Sequence, residues 1–299
     1  MNRDALYVLH DKAKLDLADG PKFNWSLDFE CAAAELDDME IADVKDTAVM
    51  WRADTPPPQL YFTHKQYYKN GVQHIVDELK SKPTSNRALY SLISQDQIND
   101  SGDGPLPSFL ILQCQLDDGS LYCTCYFRAL EVYTFLRVNL EEIRQTLSET
   151  CHALGTVKSI RLKIFAFHAY IDQGRLPLQK PEIETLLDDE IQIMLMAGAS
   201  NPIKRLDKLL LELRNATTIV SSGKLVSLKR IIERDAPNAK LHDSLIPLRY
   251  LLRDQLGTAI AAATKLLEIR KRASRGPAAE AVLQEYQESL EKLRNTLDA

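Results

Sequence analysis

Residues 108–116 and 120–128 are two apolar, β-rich runs separated by Asp117-Asp118-Gly119, and this arrangement constrains the chain more than any other stretch. A polar turn that short, with a glycine free to take positive φ, reads as a hairpin. Alternation then sorts the second strand: Thr124, Tyr126 and Arg128 project to one side, Cys123, Cys125 and Phe127 to the other. Arg128 therefore ends a half-polar face beside a tyrosine. Guanidinium geometry matches phosphate oxygens bidentately, which suits an anion anchor. A rim salt bridge is the alternative that spacing leaves equally open.

The flanking segments read from their periodicity. Residues 64–80 form an amphipathic helix with Val72, Ile75, Val76 and Leu79 on one face, ended by Pro83. A strand follows over 87–94, and then a loop of turn formers over 99–105. Beyond the hairpin, Asn139-Leu140-Glu141-Glu142 has the shape of a helix start, capped by Asn139, with Gly155 closing the helix after Leu154. Residues 159–170 alternate and carry β-branched and aromatic side chains, as a central strand does, so His168 and Tyr170 face the same way. The first 55 residues are acidic and mixed. A strand over 6–10 and a short helix over 32–40 are readable there, and Thr55-Pro56-Pro57-Pro58 breaks the chain stiffly.

On these residues the chain resembles the thymidylate synthase family and its relatives, the pyrimidine nucleotide hydroxymethylases. The family's register across the hairpin needs no gap and falls on Pro107, Gln113, Gly119, Tyr126, Arg128 and Asn139. Its reactive positions are altered: Ser108 stands at the nucleophilic cysteine, Phe109 at the neighbouring histidine, Ala129 at a phosphate-binding serine and Glu131 at an aspartate. Residues 70–89 resemble the helix and the turn whose two arginines reach across a dimer to the neighbour's bound phosphate. Arg87 keeps the second of these positions and Asn86 occupies the first. Phe167-His168-Ala169-Tyr170 matches the histidine-x-tyrosine pair that holds the nucleotide sugar. The likeness covers about residues 66–173.

It implies an α+β fold, a thymidylate-synthase-like mixed sheet with flanking helices, assembled as a homodimer. It also implies a nucleotide site made of Arg128, Gln113, Asn139, His168 and Tyr170, with Arg87 coming from the second subunit. Asn139 carries two readings, since a cap spends the side-chain oxygen that base recognition would use.

Methyl transfer in that family begins with a thiolate, which a thiol of pKa near 8.5 supplies when cations lie close. A serine needs a hydrogen-bonded base, and the neighbouring position is Phe109. Cys114 lies six residues further along an extended strand, roughly 20 Å away. The family's folate-closing C-terminus is not found either. From about residue 181 helical periodicity dominates instead: Leu206, Leu209, Leu210 and Leu213, then Leu225, Leu228, Ile231 and Ile232, then 245–271 and 278–297, punctuated by Gly223, Pro237, Gly257 and Gly276-Pro277. The expected organisation is a domain over 1–180, poorly matched over 1–55, and an all-α module over 181–299.

Residues 202–299 hold 18 Lys and Arg against 12 Asp and Glu, although the chain of 299 residues carries a net −5. The run Arg270-Lys271-Arg272, extended by Arg275, is a solvated helix end or a surface for nucleic acid or an acidic protein. No apolar run is long enough to span a bilayer, and the start lacks the apolar core of a signal peptide. The five cysteines show no CxxC spacing. Free thiols in a reducing cytoplasm, with no metal, are expected.

The expected function is that of a pseudoenzyme: a nucleotide-sensing or interaction component that needs no cofactor, with no catalytic residue assigned. A divergent enzyme acting on a pyrimidine nucleotide is one alternative. A structural homodimer with a vestigial pocket, or one binding partners through its helical module, is the other.

Overall fold

Six strands form one mixed sheet in the computed structural model of the protein, which describes residues 4–100, 106–172, 180–217, 219–220, 222–234, 240–271 and 276–298. The described residues up to 172 make one unit and those from 180 a second, each with its own apolar core. The first contains α1 (Ala5–Asp16), β1 (Lys22–Ala32), a 3-10 helix (Ala33–Met39), α2 (Lys45–Trp51), α3 (Lys65–Tyr68), α4 (Gly71–Ser81), β2 (Leu89–Ser91) and α5 (Gln95–Asp100). It continues with β3 (Phe109–Asp117), β4 (Ser120–Phe127), β5 (Leu130–Glu131), α6 (Phe135–Leu154) and β6 (Ser159–Tyr170).

Strand order is β1-β6-β4-β3-β2, with β5 alongside β6. The β3–β4 hairpin turns through Asp118 and Gly119, at φ 44° and 77°, the paired positive values that match the right-handed twist of the strands. Parallel pairing of β4 with β6 requires a crossover, which α6 supplies. Leu112, Cys114, Cys123, Cys125, Phe127, Ile160, Leu162 and Ile164 line one core with Leu6 and Leu9 of α1, Ile75 and Leu79 of α4, and Leu140, Ile143 and Leu147 of α6. The opposite sheet face carries exposed Ile111 and Tyr122, and Tyr126 stacked on Phe165 at 5.5 Å. Asp28 pairs with Lys163 at 3.0 Å and Glu30 with Arg161 at 3.2 Å on this face.

Several expectations change. Residues 6–10 are helical, not a strand, because Leu6, Leu9 and Ala13 reach the core at helical spacing; a five-residue apolar run does not separate the two periods. The continuous helix over 64–80 is broken between α3 and α4, where Lys69 takes φ 50°. Gly71 lies so near β2 that a Cβ there would stand 2.4 Å from Cβ of Tyr90. The strand over 87–94 shortens to Leu89–Ser91. α6 begins at Phe135, so Asn139 lies inside the helix and is not its cap. The short helix over 32–40 is the 3-10 helix. Pro56–58 join elements of one unit and separate nothing. β1 goes unread in the acidic N-terminal stretch, although Phe23, Trp25, Leu27, Phe29 and Cys31 alternate strictly.

The second unit contains α7 (Glu182–Thr185), α8 (Asp188–Leu195), α9 (Pro202–Asn215), α10 (Gly223–Glu233), α11 (Arg249–Arg270) and α12 (Pro277–Leu297). α11 and α12 pack along each other, with α9 against α12 and α10 against α11. The apolar stripes of α9 and α10 are buried, and Arg294 ties α12 to Asp207 of α9 at 2.7 Å. Arg270 donates to the Thr217 carbonyl and Lys271 pairs with Glu268. Arg272, Arg275, Pro237 and the loop at 101–105 lie outside the described residues. Among the described residues no helix is long and apolar enough to cross a membrane.

Candidate functional site

Arg128 follows the last residue of β4, where the strand ends beside the segment leading into β3. Its Nε donates to the Pro107 carbonyl at 3.1 Å and its Nη2 to the Leu106 carbonyl at 3.0 Å. Its main-chain N–H donates to the Ser108 carbonyl at 3.0 Å, so the arginine clips the two strand ends together. Both side-chain acceptors are neutral, and among the described residues no carboxylate pairs with it. Partial burial lowers the guanidinium's pKa from its ordinary value, with the Tyr170 phenol opposing. An arginine keeps its charge under such a shift, so the cation is held in place by neutral carbonyls, with no carboxylate spent on it among the described residues.

Tyr170 ends β6, and its ring stacks on that of His168 with centroids 5.2 Å apart. His168 in turn stacks on Phe23 of β1, its cross-strand partner, at 4.7 Å and 21° between planes. Phe167 meets Phe23 edge to face at 5.6 Å. The expected pair thus continues into a third ring that the sequence reading does not single out. The alternation of β1 marks it as a strand, but only its pairing with β6 puts Phe23 opposite His168.

Next to Tyr170 in the sheet lies buried Glu131 of β5. Its Oε1 accepts the N–H groups of Tyr133 at 2.7 Å and Asp172 at 3.1 Å; its Oε2 accepts those of Thr134 at 2.8 Å and Phe135 at 3.1 Å. A carboxylate there satisfies otherwise orphan donors at the start of α6 and complements the helix dipole. The helix is capped from the preceding strand, the role first read into Asn139.

The other predicted site residues are spread out. Gln113 sits on the sheet face turned away from the helices, opposite Thr124, and donates to the Asn86 carbonyl at 2.9 Å. Arg87 is exposed in the loop before β2. Asn139 is buried within α6, donating from Nδ2 to the Phe135 carbonyl at 2.8 Å, with Oδ1 left without a partner. Gln113 and Asn139 therefore lie on opposite sides of the sheet, and the structure of one chain does not unite them with Arg128. Ser108 is half-buried beside Phe109, whose ring stacks on Phe127 at 4.8 Å.

One turn beyond Asn139 is a group that the sequence reading misses. Glu142 is buried, and both its carboxylate oxygens lie 2.8 Å from Nδ1 of buried His64. The imidazole packs against Trp51 at 5.1 Å and Phe109 at 6.0 Å. Burial, with Glu142 adding, pushes the Tyr68 phenol up to about 12, against Arg52. His64 and Glu142 stand far apart in sequence, on a loop and a helix, so no local motif marks them.

All five cysteines are free and buried. Burial raises the thiols of Cys123 and Cys125 well above their ordinary value, Cys31 up to about 11 and Cys151 up to about 12. Cys114 faces Cys123 across the hairpin, with sulfurs 3.6 Å apart. Among the described residues no cluster of three or more His, Cys, Asp or Glu could hold a metal ion. The arrangement offers an arginine anchored by two carbonyls at the end of β4, and a stack of aromatic rings at the end of β6. In comparison with known proteins, no family model and no curated protein sequence matches the chain.

Proposed function

We propose that the first unit binds a nucleoside monophosphate without methylating it, acting as a nucleotide-sensing or interaction component whose helical second unit supplies the output. The observation that carries this reading is Arg128, held by the carbonyls of Leu106 and Pro107 and paired with no carboxylate among the described residues. A dianionic phosphate placed there accepts charge-assisted bonds worth about 1.5–3 kcal/mol each. His168 and Tyr170, beside it at the end of β6, suit the sugar. Burial holds the Cys31, Cys123, Cys125 and Cys151 thiols away from their nucleophilic form near neutral pH, and Phe109 stands beside Ser108; both speak against methyl transfer through a thiolate.

Calorimetry of the full chain with a pyrimidine nucleoside monophosphate tests the reading. Arg128→Ala should weaken binding at least tenfold, about 1.4 kcal/mol, with circular dichroism showing the variant folded. Equal binding by both proteins would move the anchor elsewhere. With deoxyuridine monophosphate and methylene-folate, no methylated product is expected. Turnover abolished by Ser108→Ala would contradict the proposal.

A second reading, a homodimeric scaffold, is favoured by the open sheet face, where Ile111, Tyr122, Tyr126 and Phe165 lie among internally paired charges. The two readings are compatible, because such a dimer is what would bring an exposed Arg87 to a neighbour's phosphate.

A further inference from the structure

We infer that Cys114 and Cys123 are a disulfide-forming pair within the folded sheet, joined across the β3–β4 hairpin when a low-molecular-weight disulfide such as oxidised glutathione takes up the electrons. The inference is independent of the nucleotide reading.

The two residues are directly opposed in the antiparallel ladder, and their sulfurs lie 3.6 Å apart. The N–H of Cys114 donates to the carbonyl of Ala88, just before β2, at 2.8 Å, so it points away from β4. The pair is therefore of the non-hydrogen-bonded kind, in which facing side chains stand closest and Cα atoms lie about 4.5 Å apart. That separation falls inside the range a disulfide spans. Closing the sulfurs to bonding distance needs side-chain rotation, and the backbone can stay where it is. Cys125 lies on the same face of β4 but stands opposite Leu112, so register singles out Cys123 as the partner. The reaction is an exchange. One cysteine attacks the small disulfide and releases one thiol; the second cysteine attacks the resulting mixed disulfide and releases the other. Two protein thiols are oxidised to one sulfur–sulfur bond, and the small disulfide is reduced to two thiols that carry away the protons. Both sulfurs are buried, and burial pushes the Cys123 thiol well above its ordinary value, so the first attack waits for local opening of the hairpin. Once formed, the bond closes the turn at Asp118 and Gly119 and holds β3 to β4, the strand that leads to Arg128.

The test incubates the full chain with oxidised glutathione near about pH 8, in native buffer and in urea below the unfolding midpoint. Cleavage beside Asp117 and Asp118 separates the two cysteines, and mass spectrometry without reductant reads the cross-link. Wild type should give peptides joined through Cys114 and Cys123 in both solutions, faster in urea, and released by a thiol reductant. Cys125→Ala should keep the bond, whereas Cys114→Ala and Cys123→Ala should lose it, with circular dichroism showing each variant folded. The oxidised chain should also unfold with an equilibrium constant at least about tenfold smaller than the reduced one, as closure of a loop by an unstrained disulfide gives. Glutathione adducts without a cross-link, no oxidation in either solution, or a bond running through Cys31, Cys125 or Cys151 overturns the inference. A urea midpoint unchanged or lowered by oxidation overturns it as well, because the bond would then have displaced the strands.

Discussion

Burial of single groups has measurable consequences at the scale of the residue. The folded chain holds the protons of Cys31 and Cys151 up to about 11 and 12, against an ordinary 9.0. Through that window the folded state binds more protons than the unfolded one, so linkage makes stability fall as pH rises from about 9 and leaves it intact below. Tyr68, raised to about 12 from 10.0, acts in the same direction. Urea midpoints should therefore be lower at about pH 10.5 than at pH 8, and replacing both cysteines by alanine should shrink the difference. An unchanged difference would assign the effect to the phenols and to the Cys123 and Cys125 thiols. Glu131 contributes through hydrogen bonds: four main-chain N–H groups hold one buried carboxylate, and removing it would leave those donors unsatisfied.

Close approach decides what happens between elements. The start of α4 is pressed onto β2, and Gly71 is the residue that allows it. Gly71→Ala would drive a methyl group into Tyr90, whose ring is already stacked on Tyr68 at 4.5 Å. Helix propensity alone predicts a gain of up to about 1 kcal/mol from this change. Overpacking at a buried backbone contact costs about 1–3 kcal/mol and should win. A thermal midpoint at or above wild type would show that β2 moves aside freely.

For the whole molecule, the open face of the sheet carries the clearest expectation. Tyr126 and Phe165 stack at its centre, with Ile111 and Tyr122 exposed around them. The flanking charges are paired within the face, Asp28 with Lys163 and Glu30 with Arg161, so they place little net charge against a symmetric copy of themselves. Light scattering at micromolar concentration should report a dimer, and Phe165→Asp should yield folded monomer by burying unpaired carboxylates at the interface. A wild-type monomer, or a variant that still dimerises, would leave this face without a partner.

Period and turn chemistry were enough to read the hairpin, the β6 strand, the Gly155 end of α6 and the leucine stripes of the second unit, because each is a local pattern repeated along one element. The strict alternation of β1 was equally legible and went unread among acidic residues. Alternation placed Arg128 on a face with Tyr126, and His168 on a face with Tyr170, while the choice of His168 and Tyr170 came from the resemblance and not from spacing. Spacing could not show that two main-chain carbonyls hold Arg128, that Phe23 extends the ring pair, or that Gln113 and Asn139 lie on opposite sides of the sheet. The buried His64–Glu142 pair belongs to the same class. Such facts depend on which elements pack together, and pairs 78 residues apart meet only when the core closes.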